Sequence, residues 1–80
     1  MQDAGIASGD ILVVDRSLAP TDRKIVVAMI DGEFTVKRFR SFEGRIYLEA
    51  ANEQFPRMEI SGDQELVIWG VVAFVIHPAR

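Results

Sequence analysis

A mostly β fold, built as one compact domain of many short strands, is what this 80-residue chain predicts. Short β-branched runs recur between turn residues, which is the pattern of half-buried strands. The pair Asp31-Gly32 separates two such runs, and both residue types accept the positive φ that a tight hairpin demands. No 3.6-residue amphipathic pattern is long enough for a helix. At most a single helical turn is expected near Ala19 to Lys24.

The elements follow in order. Ile11-Leu12-Val13-Val14 and Ile25 to Ile30 read as strands, and the Asp31-Gly32 turn joins the second to a strand over Glu33 to Phe39. Along that strand Phe34, Val36 and Arg38 point one way, while Glu33, Thr35, Lys37 and Phe39 point the other. Lys37 therefore lies opposite the face carrying Phe34 and Val36, so truncating it is not expected to open a core cavity. Ser41 to Gly44 reads as a turn, Arg45 to Glu49 as a strand, and Ala50 to Pro56 as a loop, since Pro56 cannot donate to a sheet ladder. Arg57 to Ile60 is a further short strand, closed by a turn at Ser61-Gly62-Asp63. Leu66 to Ile76 is the longest strand, and Gly70 inside it signals a bulge or a close backbone approach.

Composition narrows the function classes. The apolar share of 49% is enough for a packed core, and 26% charged residues with a net charge of -3 lie far from the disordered regime. Without cysteine, neither a disulfide framework nor a thiolate metal site is available, which suits a reducing cytoplasm. The longest apolar run, Leu66 to Ile76, falls short of the roughly 20 residues a membrane helix needs. Met1 to Ile6 lacks the basic start and apolar centre of a signal peptide. Lys37, Arg38, Arg40 and Arg45 cluster locally, but in an acidic chain they are expected to guard a strand edge against aggregation, not to track phosphates.

Most polar residues have ordinary explanations. His77, the only histidine, has no visible converging ligands or nucleophile and reads as a tail residue. Asp10, Asp15 and Asp22 sit beside turns and strand ends, where Asx-type capping explains them. Trp69 reads as a core or interface anchor. No metal site, no cofactor and no glycine-rich phosphate loop is expected.

The run "M-x-x-A-G-I-x-x-G-D-I-L-V-V-D" at the start, followed by "D-G-E-F-T-V-K-R" at Asp31 to Arg38, resembles the LexA/UmuD group of Ser/Lys self-cleaving proteins. An Ala51-Asn52 loop followed by Pro56, and the closing Ile68-Trp69-Gly70-Val71-Val72, extend the match over most of the chain. The "V-D-R-S-L" run and the chain's ending shortly after "I-W-G-V-V" bring it nearest the UmuD branch, the accessory proteins of the error-prone SOS polymerase. The resemblance implies a LexA C-terminal-domain-like, β-clip type of fold over residues 1–80. It also implies that Lys37 is the general base. The nucleophilic serine, in a Ser-Met pair, would immediately precede Met1, and the cleaved N-terminal arm would lie further upstream.

The implied chemistry is attack by the serine hydroxyl on a peptide carbonyl of the protein's own arm, with Lys37 accepting the proton. A lysine serves as a base only when neutral, and burial against apolar neighbours favours that form. Closure of the arm would supply such burial, and an activating partner would act by favouring the docked arm. Ser8, Ser17, Ser41 and Ser61 match no nucleophile position, so these residues alone are expected to be inactive. The resemblance further implies a cytoplasmic homodimer that regulates a translesion DNA polymerase, with a RecA-type recombinase filament as co-protease and no direct nucleic-acid or membrane binding. Three alternatives stand beside it: the cleavage and dimerisation domain of a LexA-like or prophage repressor, a signal peptidase fragment, and a non-catalytic β module.

Overall fold

The computed structural model describes residues 5–50 and 57–79. Among these, strands Ile11–Asp15 (β1), Ile25–Ile30 (β2), Glu33–Phe42 (β3), Arg45–Glu49 (β4), Met58–Glu59 (β5) and Leu66–Ile76 (β6) form one sheet in the order β1-β6-β2-β3-β4-β5. Every neighbouring pair is antiparallel. The mostly β expectation holds, and no helix occurs among the described residues. The expected turn at Ala19 to Lys24 is a bend in which Arg23 takes a φ of 75° and donates its N–H to the Phe39 carbonyl at 2.7 Å.

Hairpin chemistry sets the register. Ile30 faces Glu33 across Asp31 and Gly32, whose φ values of 49° and 87° are both positive, as a two-residue hairpin loop of the primed kind requires. The expected turn at Ser41 to Gly44 contracts for the same reason. Only Glu43 and Gly44 turn, at φ 54° and 72°, and Phe42 faces Arg45. Ser41 and Phe42 are thus strand residues, and Phe42 stacks on Tyr47 at 5.0 Å between ring centroids. Of the loop expected at Ala50 to Pro56, all but Ala50 lies outside the described residues.

Residues directly opposite on antiparallel strands share a face, so the register also assigns the core. Val26 and Ala28 of β2, Phe39 of β3, Leu48 of β4 and Val71 of β6 are buried, joined by partly buried Ile30, Ile60, Leu66 and Ile68. Val26 lies opposite both Lys37 and Val71, and Phe39 lies opposite Leu48. The register settles what the alternation along β3 leaves open. The buried face is the one that carries Thr35, Lys37 and Phe39, whereas Phe34, on the other, is 63% exposed. There it meets the Trp69 ring edge-on at 6.4 Å.

The long strand β6 lies inside the sheet. Its first half pairs with β2 and its second half with β1, so it lies between them and not at an end of the sheet. Its apolar excess emerges instead in two exposed cross-strand pairs, Ile11 with Ile76 and Val13 with Phe74. The glycine signal is borne out twice over. Val27 faces Gly70 while Ala28 faces Ile68, which leaves Trp69 as the extra residue of a bulge. A β-carbon at Gly70 would also collide with the Val14 side chain.

Candidate active site

Lys37 sits in the middle of β3, on the buried side of the sheet. Phe39 follows it on the same face, Thr35 precedes it, and Val26, fully buried, faces it from β2. Its own side chain is half-buried, an arrangement in which the aliphatic stem covers apolar surface and the ammonium reaches outward. It opens onto a groove of about 570 Å³. Ile30 and Thr35 form the strand side of that groove, Met58 and Gln64 come from distant segments, and Asp31, Glu33 and Phe34 close the hairpin end.

What separates Lys37 from the other described cations is partial burial without an ion pair. Arg40 pairs with Asp22 at 2.8 Å and with Glu49 at 3.4 Å. Arg38 and Arg57 also reach Glu49, each at 3.8 Å, and Arg45 reaches Glu59 at 3.7 Å. Arg16 stacks over the Trp69 ring at 4.4 Å and donates Nε–H to the Trp69 carbonyl. Lys24 is exposed. Lys37 alone is half-buried in a groove and forms no ion pair among the described residues.

The basic cluster therefore does not guard an edge. β3 is an interior strand, and Arg38, Arg40 and Arg45 are each matched by carboxylates of neighbouring segments. Asp22 also does more than cap a turn. Its Oδ1 accepts the Ser41 N–H and Arg40 Nε–H, each at 2.8 Å, tying the segment before β2 to the far end of β3. The backbone hydrogen bond from Ser41, then Arg40, holds its carboxyl below the usual carboxylate value. A depressed folded-state pKa contributes stability above the ordinary carboxylate pKa and loses it as pH falls through the folded value. Asp22→Asn should therefore flatten the fall in urea midpoint between about pH 5 and pH 2. An unchanged acid profile would remove Asp22 from the account.

Asp15 behaves as expected of an Asx turn, its Oδ1 accepting the Ser17 hydroxyl and N–H. The same bonds lower its pKa. His77 is more than a tail residue. Its Nδ1 lies 2.8 Å from Asp10 Oδ2, which also accepts the Ala7 N–H, so the end of β6 is fastened to the turn before β1. The described serines are accounted for locally. Ser17 bonds Asp15, Ser61 bonds Gln64, and Ser41 lies beyond Phe39 on the same strand. Ser8 lies in the turn before β1, a strand three positions from β3 in the sheet. No group of three or more potential metal ligands converges among the described residues, and no described helix is long and apolar enough to cross a membrane.

The motif singles out Lys37, while nothing in the sequence marks the groove walls. Met58 and Gln64 come from a two-residue strand and a turn, with no periodicity to mark them. The Asp22 tether and the Asp10–His77 pair were equally hidden, because their partners are remote in the chain.

Comparison with known proteins identifies the family. The Peptidase S24-like family profile covers residues 1–73. Protein SamA of Salmonella typhimurium is 42% identical over 80 residues, spanning 100% of this chain and 54% of SamA. Protein MucA of Escherichia coli is 48% identical over 81 residues, spanning 98% and 55% respectively. A LexA repressor from Bordetella petrii is 40% identical over 77 residues, covering 96% of this chain and 34% of the repressor. The chain thus spans about half the length of SamA and MucA. Profile and relatives agree: the chain belongs to the Peptidase S24-like family, in its LexA/UmuD type and close to UmuD.

Proposed function

We propose that this chain is the core of a UmuD-like SOS accessory protein that cleaves itself with a Ser/Lys dyad and then regulates an error-prone translesion polymerase. One observation carries the reading: Lys37 stands half-buried in a groove on the core side of the sheet and forms no ion pair among the described residues. In the longer protein a serine preceding Met1 supplies the nucleophile. Its hydroxyl oxygen bonds to the arm's peptide carbonyl carbon while the proton passes to Lys37 Nζ. Collapse of the adduct breaks the peptide C–N bond, and Lys37 returns the proton to the departing amine. Water then hydrolyses the acyl-serine by the same proton route.

Arm docking over the groove excludes water from Lys37, so a RecA-type filament that favours the docked arm would switch on cleavage. Ion pairing of the arginines on neighbouring carboxylates supports a protein-binding role over direct nucleic-acid binding. The family's cytoplasmic setting is part of the same proposal. So is a homodimer, supported by the exposed Ile11, Val13, Phe74 and Ile76 cluster, since apolar patches of this kind seek cover.

The test uses the longer protein with activated filament, which should release two fragments. The 80 residues by themselves should not cleave a peptide carrying the arm sequence. Specific cleavage by these residues alone would overturn the dyad and redirect attention to Ser8. Light scattering should give a dimer, and a monomer at high micromolar concentration would count against that part. The LexA relative favours a second reading, a self-cleaving repressor; a helix-turn-helix encoded upstream would decide for it.

A further inference from the structure

The groove is electrostatically polar from end to end. Lys37 marks one end, and Glu33, with Asp31 beside it, marks the other. Glu33, Thr35 and Lys37 alternate on one face of β3, so Glu33 stands about 13 Å from Lys37 at ~3.3 Å per residue. That separation is four residues of an extended peptide. Apart from Thr35 and Gln64, the rest of the lining is apolar, from Ile30, Phe34 and Met58.

The acidic end is also fixed in place. Asp31 N–H donates to the Glu65 carbonyl at 3.0 Å, and Asp31 Oδ1 accepts the Glu65 N–H at 3.2 Å. The hairpin tip is thereby pinned to the segment entering β6. Glu33 makes no ion pair among the described residues. A carboxylate presented on a tethered hairpin, at the mouth of an apolar groove, is complementary to a cationic side chain.

We propose that the groove reads charge in the segment it binds: an extended peptide with apolar side chains in the middle and a lysine or arginine about four residues from the carbonyl that sits over Lys37. This rests on the self-cleavage reading for the identity of that carbonyl. The preference itself depends only on the acidic end. Backbone and apolar contacts hold the segment, and Glu33 sets which sequence is favoured.

The experiment is a titration of the 80-residue chain, followed by amide chemical shifts. The probes are two acetylated, amidated hexapeptides alternating alanine with leucine and valine, one with arginine first and one with arginine last. Each is compared with its glutamine counterpart. One arginine peptide should bind about two- to five-fold tighter at low salt, as a single exposed ion pair allows, and the preference should fade at high salt. Shifts should centre on Thr35, Lys37 and Gln64. Glu33→Gln should erase the preference without weakening the glutamine peptide. Equal affinities, a preference that survives Glu33→Gln, or no binding at millimolar peptide would each overturn the proposal. A Lys37→Met chain should keep the arginine preference. If the longer protein still cleaved itself without Lys37, the base assignment would fall while the charge preference stood.

Discussion

Lys37→Ala in the longer protein is expected to abolish self-cleavage, lowering the rate by roughly 10²–10⁴-fold or more, as loss of a general base does. No other described cation could substitute. Arg38 and Arg40 are held by Asp22 and Glu49, and Lys24 lies exposed beyond the hydrogen bond that joins its carbonyl to Phe39. Lys37→Arg should be nearly as inactive, since a guanidinium stays charged at any accessible pH. The burial of Lys37 adds a control that the strand pattern alone did not suggest. Its stem shares a face with Val26 and Phe39, so alanine also removes apolar cover, at a cost of about 1–2 kcal/mol. Lys37→Met keeps the stem and removes the amine. It should match wild type in urea midpoint and in dimer formation while remaining inactive. The measurement is the filament-stimulated cleavage rate of wild type and the three variants. Robust cleavage by Lys37→Arg at neutral pH would sink the dyad assignment.

The second large effect belongs to Gly70. No positive φ is required there, so the penalty for a side chain is steric. An added β-carbon runs into Val14, with the Asp15 carbonyl at 3.3 Å and Arg16 Cγ at 3.4 Å leaving no retreat. Valine is stiff about χ1 and cannot swing clear cheaply. Gly70→Ala should therefore destabilise the chain by about 1–3 kcal/mol. A domain of this size holds only about 4–12 kcal/mol in all. Gly70→Val should fail to fold at 37 °C. The check is a double-mutant cycle by urea denaturation: in a Val14→Ala background Gly70→Ala should cost markedly less, because the colliding methyl is gone. The same cost in both backgrounds would mean that the bulge, and not the Val14 contact, fixes glycine at this position.

Much of the fold was legible because its signals are local. Asp31-Gly32 and Gly44 announce turns through backbone chemistry, and strand β2 ends where turn residues interrupt a β-branched run. The faces of β3 were not legible. Alternation separates Phe34 and Val36 from Thr35 and Lys37 without saying which side is covered, and burial follows the register with β2, where Lys37 meets Val26. A strand carrying an aromatic residue on each face gives no internal vote on which is covered. Lys37 was named by motif alone, because a lysine in a strand has no distinguishing pattern. The groove walls depend on β5 and on the turn before β6 lying near the hairpin tip, which no single segment encodes.

The placement of β6 has a consequence for biosynthesis. Of the six described strands β1 leaves the ribosome before the others, yet its one partner among them is β6, the latest to emerge. β2, too, has one side unpaired until β6 arrives. The β2–β3–β4 meander can zip up as it emerges, but β1 must wait, and at about 5–20 residues per second that wait lasts seconds. Non-local pairing of this kind slows folding and leaves apolar strand edges open to other chains. Expression should therefore be sensitive to temperature and to crowding by sister chains. A nascent chain arrested before Leu66 should be captured by chaperones, while one extended past Ile76 is released to fold.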